Sequence, residues 1–213
     1  MNMKFLTKTV ALMLIGMVST TLVACLGDDN NDEYNEYLIT AEEYGPLLRL
    51  MEGSYQSMLY FNNEAIATEN KLDSAAVSSR FVGAGDSTIT VSGIPAKCLA
   101  RLMKNEAAKA AVEQADNQTI KAKFYLYQKY MERTYYAVVP QPLTIDVNYD
   151  GADHKVVFFL AQMNTNYGVY AQDETVFEFR VYNIYIDDKT DVSLYYPTDV
   201  NSVLRIHAWK LTS

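Results

Sequence analysis

The sequence predicts a mainly β fold: an antiparallel β-sandwich or a barrel-like curved sheet with one or two short helices. Two observations carry this prediction. Apolar and polar residues alternate with a period of two through most of residues 119–211, which is typical of antiparallel strands with one buried face. Strong helix signals are confined to two short stretches earlier in the chain. Residues 40–213 are therefore expected to form a single β-rich globular domain, a length that needs no disulfide to fold.

The first predicted helix begins at Thr40-Ala-Glu-Glu43, where the pattern fits a capping box, and it is expected to run to Met51. Ser54–Asn62 then has the composition of a strand. Two further strands, Ala75–Val82 and Ser87–Ile94, flank a glycine-containing turn and predict a β-hairpin.

A second helix is predicted to start at Asn105, which can cap it, and to continue through an alanine-rich stretch to about Ala115. From Thr119 onward nearly all of the chain is expected to be strand. The last two long strands are Thr175–Ile186 and Val203–Leu211. The strands of this half should pair into one antiparallel sheet over a common core.

The N-terminus has the three zones of a bacterial export signal. Met1–Lys8 is a short cationic start, and Val10–Val23 is an apolar run of about 14 residues, shorter than the ~20 needed to span a bilayer. Leu22-Val-Ala-Cys25 resembles a lipobox, the signature of bacterial lipoproteins. The resemblance implies that residues 1–24 are a signal peptide and that Cys25 carries the lipid; an uncleaved helix or a lipid-free secreted product are the alternatives.

Residues 25–39 are predicted to be a lipidated cysteine followed by a disordered acidic tether. Five acidic residues and no basic one fall between Asp28 and Glu36, too polar a composition to fold alone. An acidic run directly after the lipidated cysteine also resembles the surface-export signal of Bacteroidetes-type lipoproteins. This resemblance implies the outer membrane, with the domain lipid-anchored and facing the cell exterior; a periplasm-facing domain is the alternative.

The charge balance bears on the partners. The chain has 18 basic and 26 acidic residues, and removal of the signal peptide takes away Lys4 and Lys8, which leaves a net charge of −10. A protein this acidic is not expected to bind nucleic acid or anionic lipid headgroups by charge. The expected contact with the membrane is therefore the lipid anchor itself.

Residues with catalytic or metal-binding chemistry are sparse. His154 and His207 lie far apart and lack zinc-site spacing. Asp146, Asp153 and Glu178 are candidates for a glycosidase pair, although a solvated face is the ordinary reading of such residues. No serine-nucleophile motif is present, so the sequence predicts no catalytic residue, no metal and no cofactor.

Cys98 is the second of two cysteines. With Cys25 lipidated, Cys98 has no partner for a disulfide. Its neighbours are apolar, which predicts a buried and inert thiol.

Tyrosine is unusually common, with 17 in the chain. Tyr125 and Tyr127 share the polar face of one predicted strand, which makes them candidates for an aromatic ligand-binding patch. Half-buried sheets also favour tyrosine on general grounds. Other tyrosines of the same β-rich half are Tyr130, Tyr135, Tyr136, Tyr182, Tyr185, Tyr195 and Tyr196.

Four short segments resemble a family of Bacteroidetes-type surface lipoproteins classed as a domain of unknown function. These segments are Gly53-Ser-Tyr-Gln-Ser-Met-Leu-Tyr60, Asp86-Ser-Thr-Ile-Thr-Val91, Ile94-Pro95 and His154-Lys-Val-Val157. The family's usual tryptophan before the Asp-Ser-Thr hairpin is replaced here by Phe81. The resemblance implies export and a β-rich domain, and it brings no catalytic residue.

The sequence therefore favours a non-enzymatic, surface-anchored domain that binds a glycan, a peptide or a protein. A fimbria-like structural subunit or adhesin is the first alternative. It would need an edge strand donated between copies, for which Val203–Leu211 is the candidate. A small hydrolase is the second alternative.

Overall fold

The structure, a computed structural model, describes residues 37–62, 72–83, 85, 87–161, 167–193 and 202–211. The predicted signal peptide, and the predicted tether up to residue 36, lie outside the described residues. Among the described residues, the compact unit begins at Tyr37. Leu38 already forms a β-bridge with Gln128, which fixes this start.

The described part of the chain contains three helices and eleven strands. The helices are α1 (Ala41–Met51), α2 (Lys97–Ala100) and α3 (Glu106–Glu113). The strands are β1 (Gly53–Asn62), β2 (Leu72–Val82), β3 (Thr88–Ile94), β4 (Gln118–Tyr130), β5 (Arg133–Pro140), β6 (Leu143–Tyr149), β7 (Ala152–Leu160), β8 (Tyr167–Ala171), β9 (Glu174–Ile186), β10 (Lys189–Ser193) and β11 (Val203–Lys210).

Eight of these strands close into an antiparallel barrel. The order around it is β11-β1-β2-β3-β4-β5-β8-β9, and β9 pairs back with β11. β11 therefore has a partner on each edge, with Leu204 opposite Phe61 of β1 and Phe179 of β9. The barrel-like alternative of the predicted fold class is thus confirmed.

The interior of the barrel is filled by aromatic side chains. Phe81 is central, because its ring lies 5.0–6.1 Å from the rings of Tyr55, Phe124, Tyr136 and Phe177. The Tyr136 hydroxyl is satisfied by Thr175 Oγ1 at 2.6 Å. An eight-stranded barrel is just wide enough for its own side chains to fill it, and here large rings do so.

Gly168 of β8 is required by the Tyr136 ring. A Cβ atom at position 168 would overlap that ring, so the strand can pass this close only as glycine. The contact shows how tightly the centre of the barrel is packed.

Helices lie at both ends of the barrel. The capping box of α1 forms as predicted, with Thr40 and Glu43 bonded reciprocally. The last carbonyls of α1 accept hydrogen bonds from the barrel: Tyr55 Oη donates to Met51 O at 2.6 Å, and Lys210 Nζ donates to Leu50 O at 2.6 Å. α2 and α3 follow the opposite end of β3, where Asn105 caps α3 as predicted.

A smaller four-stranded sheet, in the order β10-β9-β7-β6, extends from the barrel because the long strand β9 continues from one sheet into the other. α3 packs on β6. The apolar sides of the barrel and of this sheet belong to one core cluster. Within the described ranges, none of the helices has the length and apolar character that a bilayer span requires.

Candidate functional site

The outer face of β4 carries the two tyrosines that the sequence singles out. Ile120, Ala122, Phe124 and Leu126 point into the barrel, so Lys121, Lys123, Tyr125 and Tyr127 point outward. Tyr125 and Tyr127 are 44% and 39% exposed. The alternation thus predicted their orientation correctly.

A β-bulge prolongs this outward row. The register between β4 and β5 shifts between Leu126 and Gln128, so that Gln128 lies opposite the outward residue Tyr135. A bulge turns the following residues to the other face of the strand. Tyr130, which would otherwise point inward, is consequently 41% exposed, and its ring lies 5.2 Å from that of Tyr37.

Two more tyrosines complete the surface. Tyr135 lies on β5, opposite Val169 of β8. Tyr167 lies on β8, and Ala137 of β5 pairs with Tyr167 on one side and with Tyr125 of β4 on the other. Burial raises the pKa of the Tyr127 hydroxyl, and the neighbouring phenols Tyr167 and Tyr135 raise that pKa further. We call the outward rings of Tyr125, Tyr127, Tyr135 and Tyr167 the tyrosine face.

A cleft of about 460 Å³ adjoins the tyrosine face. We call it the helix cleft, because one wall is α1 and its C-terminal end and the other is formed by the β2–β3 turn and β4. Its lining residues are Tyr44, Gly45, Leu48, Arg49, Glu52, Gly83, Gly85, Ser87, Lys123 and Tyr125. Tyr125 therefore belongs to both the cleft and the tyrosine face, which makes them one continuous surface.

The close approach of α1 to the β2–β3 turn depends on Gly83. A Cβ atom there would lie 2.8 Å from the carbonyl oxygen of Leu48. Glycine at position 83 therefore lets the helix sit against the turn and sets the width of the helix cleft. The sequence predicted a hairpin turn at this place, and β3 follows it.

A second cleft, of about 300 Å³, lies beside the smaller sheet and contains His154. The His154 ring stacks on Tyr149 with 3.9 Å between centroids, and its Nδ1 lies 2.6 Å from Asp187 Oδ2. Asp187 Oδ1 accepts a hydrogen bond from the Lys155 amide at 2.9 Å. The hydrogen bond from the Lys155 amide lowers the pKa of the Asp187 carboxyl group most, and the hydrogen bond from His154 lowers it further. The carboxyl group is therefore ionised, and His154 Nδ1 donates the hydrogen bond to it.

An oriented imidazole is one part of a hydrolytic site, but the other parts are not assembled. Among the described residues, no serine, threonine or cysteine hydroxyl or thiol is hydrogen-bonded to His154. Asp191, in the same cleft, has both oxygens occupied by the amides of Lys104 and Asn105. The His154–Asp187 pair therefore tethers the β9–β10 turn to β7.

The three carboxylates considered for glycoside cleavage do not form a site. Asp146 and Asp153 lie on the solvent face of the β6–β7 hairpin, where Asp153 accepts from Asn148 Nδ2 at 2.7 Å. Glu178 lies on the barrel wall and binds Arg205 Nε and Nη2 at 2.8 and 2.6 Å. None of the three carboxylates is among the lining residues of the two clefts described above.

The surroundings of the remaining candidate residues are those of side chains that stabilise a fold. Cys98 is buried, as predicted, and burial raises the pKa of its thiol to about 11, which keeps the thiol protonated and inert. The His207 ring lies 4.0 Å from the Trp209 ring, measured between centroids, and His207 Nε2 lies 3.2 Å from Glu174 Oε2. Within the described ranges, no three His, Cys, Asp or Glu side chains converge as metal ligands would. Cys25, Tyr195 and Tyr196 lie outside the described residues.

Sequence reasoning missed half of the surface. Tyr135 was grouped with Tyr136, yet Tyr135 points outward whereas Tyr136 is fully buried. The sequence pattern does not single out Tyr167 or Arg49. The alternation within Thr134–Val138 could have separated the first pair, but no local signal shows that β8 pairs with β5 or that α1 lies beside β4.

These features define a class of protein, a small closed β-barrel. Side chains fill its interior, and the clefts described above lie outside it. The profile of a family described as "Domain of unknown function (DUF4840)" matches residues 50–186, more than half of the chain, and the chain belongs to this family. The match runs from the end of α1 to the end of β9. No curated protein and no solved structure shows significant similarity to the chain.

Replacing Asp187 by Asn should make the folding stability less dependent on pH. The pKa of Asp187 is lower in the folded protein than in the unfolded chain, so its charge stabilises the fold above the unfolded pKa of about 4, and this contribution is lost as the pH falls through the folded pKa. The difference in urea midpoint between wild type and Asp187→Asn should be present at about pH 6 and vanish in acid.

Asp188→Asn is the matched control, since Asp188 is the neighbouring exposed residue of the same turn. It leaves the contacts of Asp187 with His154 and Lys155 in place, so it should lower the urea midpoint at about pH 6 less than Asp187→Asn does. A difference between wild type and Asp187→Asn that persists unaltered at about pH 2 would contradict the assignment of the ionised form to Asp187.

Proposed function

We propose that the protein is a lipid-anchored, non-enzymatic surface domain that binds a glycan on the tyrosine face and in the adjoining helix cleft. The single observation that carries this proposal is the grouping of four outward tyrosine rings on three neighbouring strands beside a cleft. Isolated exposed apolar residues need no explanation, but a contiguous set of this size does.

The chemistry of the surface favours a sugar over a purely apolar ligand. A tyrosine ring presents a flat apolar face and a hydroxyl at its edge, which suits the mixed apolar and hydroxyl surface of a sugar ring. Arg49 and Glu52 line the helix cleft and offer a hydrogen-bond donor and an acceptor for hydroxyl groups. The barrel interior is filled, so the ligand is placed outside it.

The anchor is the second half of the proposal and rests on residues 1–39 of the sequence. A lipobox-like Leu22-Val-Ala-Cys25 followed by an acidic stretch supports lipidation of Cys25 and display on the outer face of the outer membrane. Several acyl chains on one residue bind a bilayer far more firmly than a single chain, so such an anchor is stable. The barrel would then stand away from the lipid on its tether.

Two observations reduce the weight of the alternatives. An adhesin that donates its C-terminal strand would need a free strand, whereas β11 is paired on both edges within the barrel. A hydrolase would need an assembled reactive group, and the His154–Asp187 pair has no nucleophile bonded to it among the described residues.

Removing the acyl acceptor should release the protein from the envelope. The variant Cys25→Ser should appear in the soluble fraction, whereas Cys98→Ala should remain with the membranes, because Cys98 is buried in the fold. Fractionation followed by mass spectrometry of the N-terminal peptide provides the measurement. Continued sedimentation of Cys25→Ser with the envelope, and no acyl mass on the wild type, would contradict the anchor.

Removing the two tyrosine rings of β4 should weaken glycan binding. Each aromatic contact contributes ~1 kcal/mol, so Tyr125→Ala/Tyr127→Ala should lower the affinity about 30-fold for the glycan that a carbohydrate array selects. The full chain in mild detergent is the protein to use. Tyr125→Phe/Tyr127→Phe keeps the rings and should retain most of the binding.

Tyr182→Ala is the matched control, because Tyr182 is 42% exposed but lies beyond the barrel part of β9. This variant should bind as the wild type does. The proposal fails if no glycan of the array binds, or if the Tyr182 variant loses as much glycan binding as the double variant.

A further inference from the structure

Positive and negative charges are concentrated on different strands of the described domain, although the protein as a whole is acidic. Strands β2 to β5 contain one carboxylate, Asp73, against five cationic residues: Arg80, Lys121, Lys123, Lys129 and Arg133. Residues 143–193 have the opposite balance, with three cationic residues against nine acidic ones. We call the outer surface of β2 to β5 the cationic wall. The same surface presents Tyr125, Tyr127 and Tyr135.

The register places the cations directly beside the tyrosine face. Lys121, Lys123, Tyr125 and Tyr127 follow one another along the outer face of β4, about 7 Å apart and spanning ~20 Å. Arg80 of β2 lies two strands away at the level of Lys121, since Thr90 of β3 pairs with both residues.

The helix cleft adds to this positive charge. Arg49 on α1 faces the same cleft as Lys123, with Glu52 as the acidic residue of the lining. Lys129, also on β4, pairs its ammonium group with Glu43 at 3.4 Å. Arg49, Arg80, Lys121 and Lys123 lie beside the tyrosine row, on α1, β2 and β4.

We propose that this surface takes an anionic polysaccharide, whose sugar rings lie on Tyr125 and Tyr127 while its carboxylate or sulfate groups lie against Lys121, Lys123, Arg80 and Arg49. This inference rests on the proposed function and names its ligand class. An extended chain with a repeated negative group matches a row in which cations and aromatic rings follow one another along a single strand. A neutral glycan would leave the cations without a role in binding.

The net charge of the protein does not oppose this assignment at short range. At physiological ionic strength charges are screened beyond ~8 Å, so a bound anion interacts mainly with the cations next to it. The acidic residues at 143–193 lie on β6, β9 and β10, at the start of β7 and in the turns between strands, whereas β4 pairs with β3 and β5. Binding should consequently weaken as salt is added, because the contacts are exposed to solvent.

Two matched pairs of polysaccharides test the inference with the full chain in mild detergent. The first pair is polygalacturonate and its fully methyl-esterified form, which differ in carboxylate charge. The second is dextran sulfate and dextran, which differ in sulfate. The charged member of at least one pair should bind, its neutral partner should bind at least tenfold more weakly, and affinity should fall between 50 and 500 mM salt.

Charge-removing variants connect this binding to the wall. Arg80→Gln/Lys121→Gln should lower the affinity about fivefold, because the two side chains are exposed and each contributes modestly. Lys104→Gln/Lys155→Gln removes the same charge from exposed positions outside the cationic wall and should leave the affinity unchanged.

Equal binding of neutral and charged members, or equal losses in both double variants, overturns the anionic preference. If neutral glycans still bind and still require Tyr125 and Tyr127, the proposed function survives this failure. If binding to the charged members does not depend on those tyrosines, the proposed function fails as well. Absence of binding to all four polysaccharides overturns the ligand class proposed here.

Discussion

The pairing of β11 with both β1 and β9 is the constraint on which the rest of the structure depends. It joins the end of the described chain to strands near its beginning and in its last third, and so closes eight strands into a ring. Closure removes the open edges that a curved sheet would expose. It also fixes the diameter, so that the rings around Phe81 fill the interior and binding surfaces can form only outside.

The outer surface follows from the same geometry. A strand of a filled barrel must alternate between the core and solvent, and β4 does so with lysines and tyrosines on its outer side. The bulge near Tyr127 keeps the end of that strand turned outward, and the neighbouring strands supply Tyr135 and Tyr167. α1 then lies close to the β2–β3 turn because position 83 is glycine, and this approach forms the helix cleft.

The sequence was most informative where the signal is local. The capping box at Thr40, the Asn105 cap and the alternation in β4 were all predictable, because each depends on residues within a few positions of one another. The choice between sandwich and barrel was not predictable, since it depends on which distant strand β11 joins. The tyrosine face was only half predicted for the same reason: Tyr167 reaches it through the pairing of β8 with β5.

Hydrogen–deuterium exchange of the full chain, followed by mass spectrometry of its peptides, tests the closed ring most directly. Strands paired on both edges exchange only when the barrel opens, whereas exposed turns exchange at once. The account predicts that residues 203–210 exchange as slowly as residues 53–62 and far more slowly than the turn at Met131–Glu132. Exchange of residues 203–210 at the rate of that turn would contradict closure and, with it, the placement of the ligand outside a filled barrel.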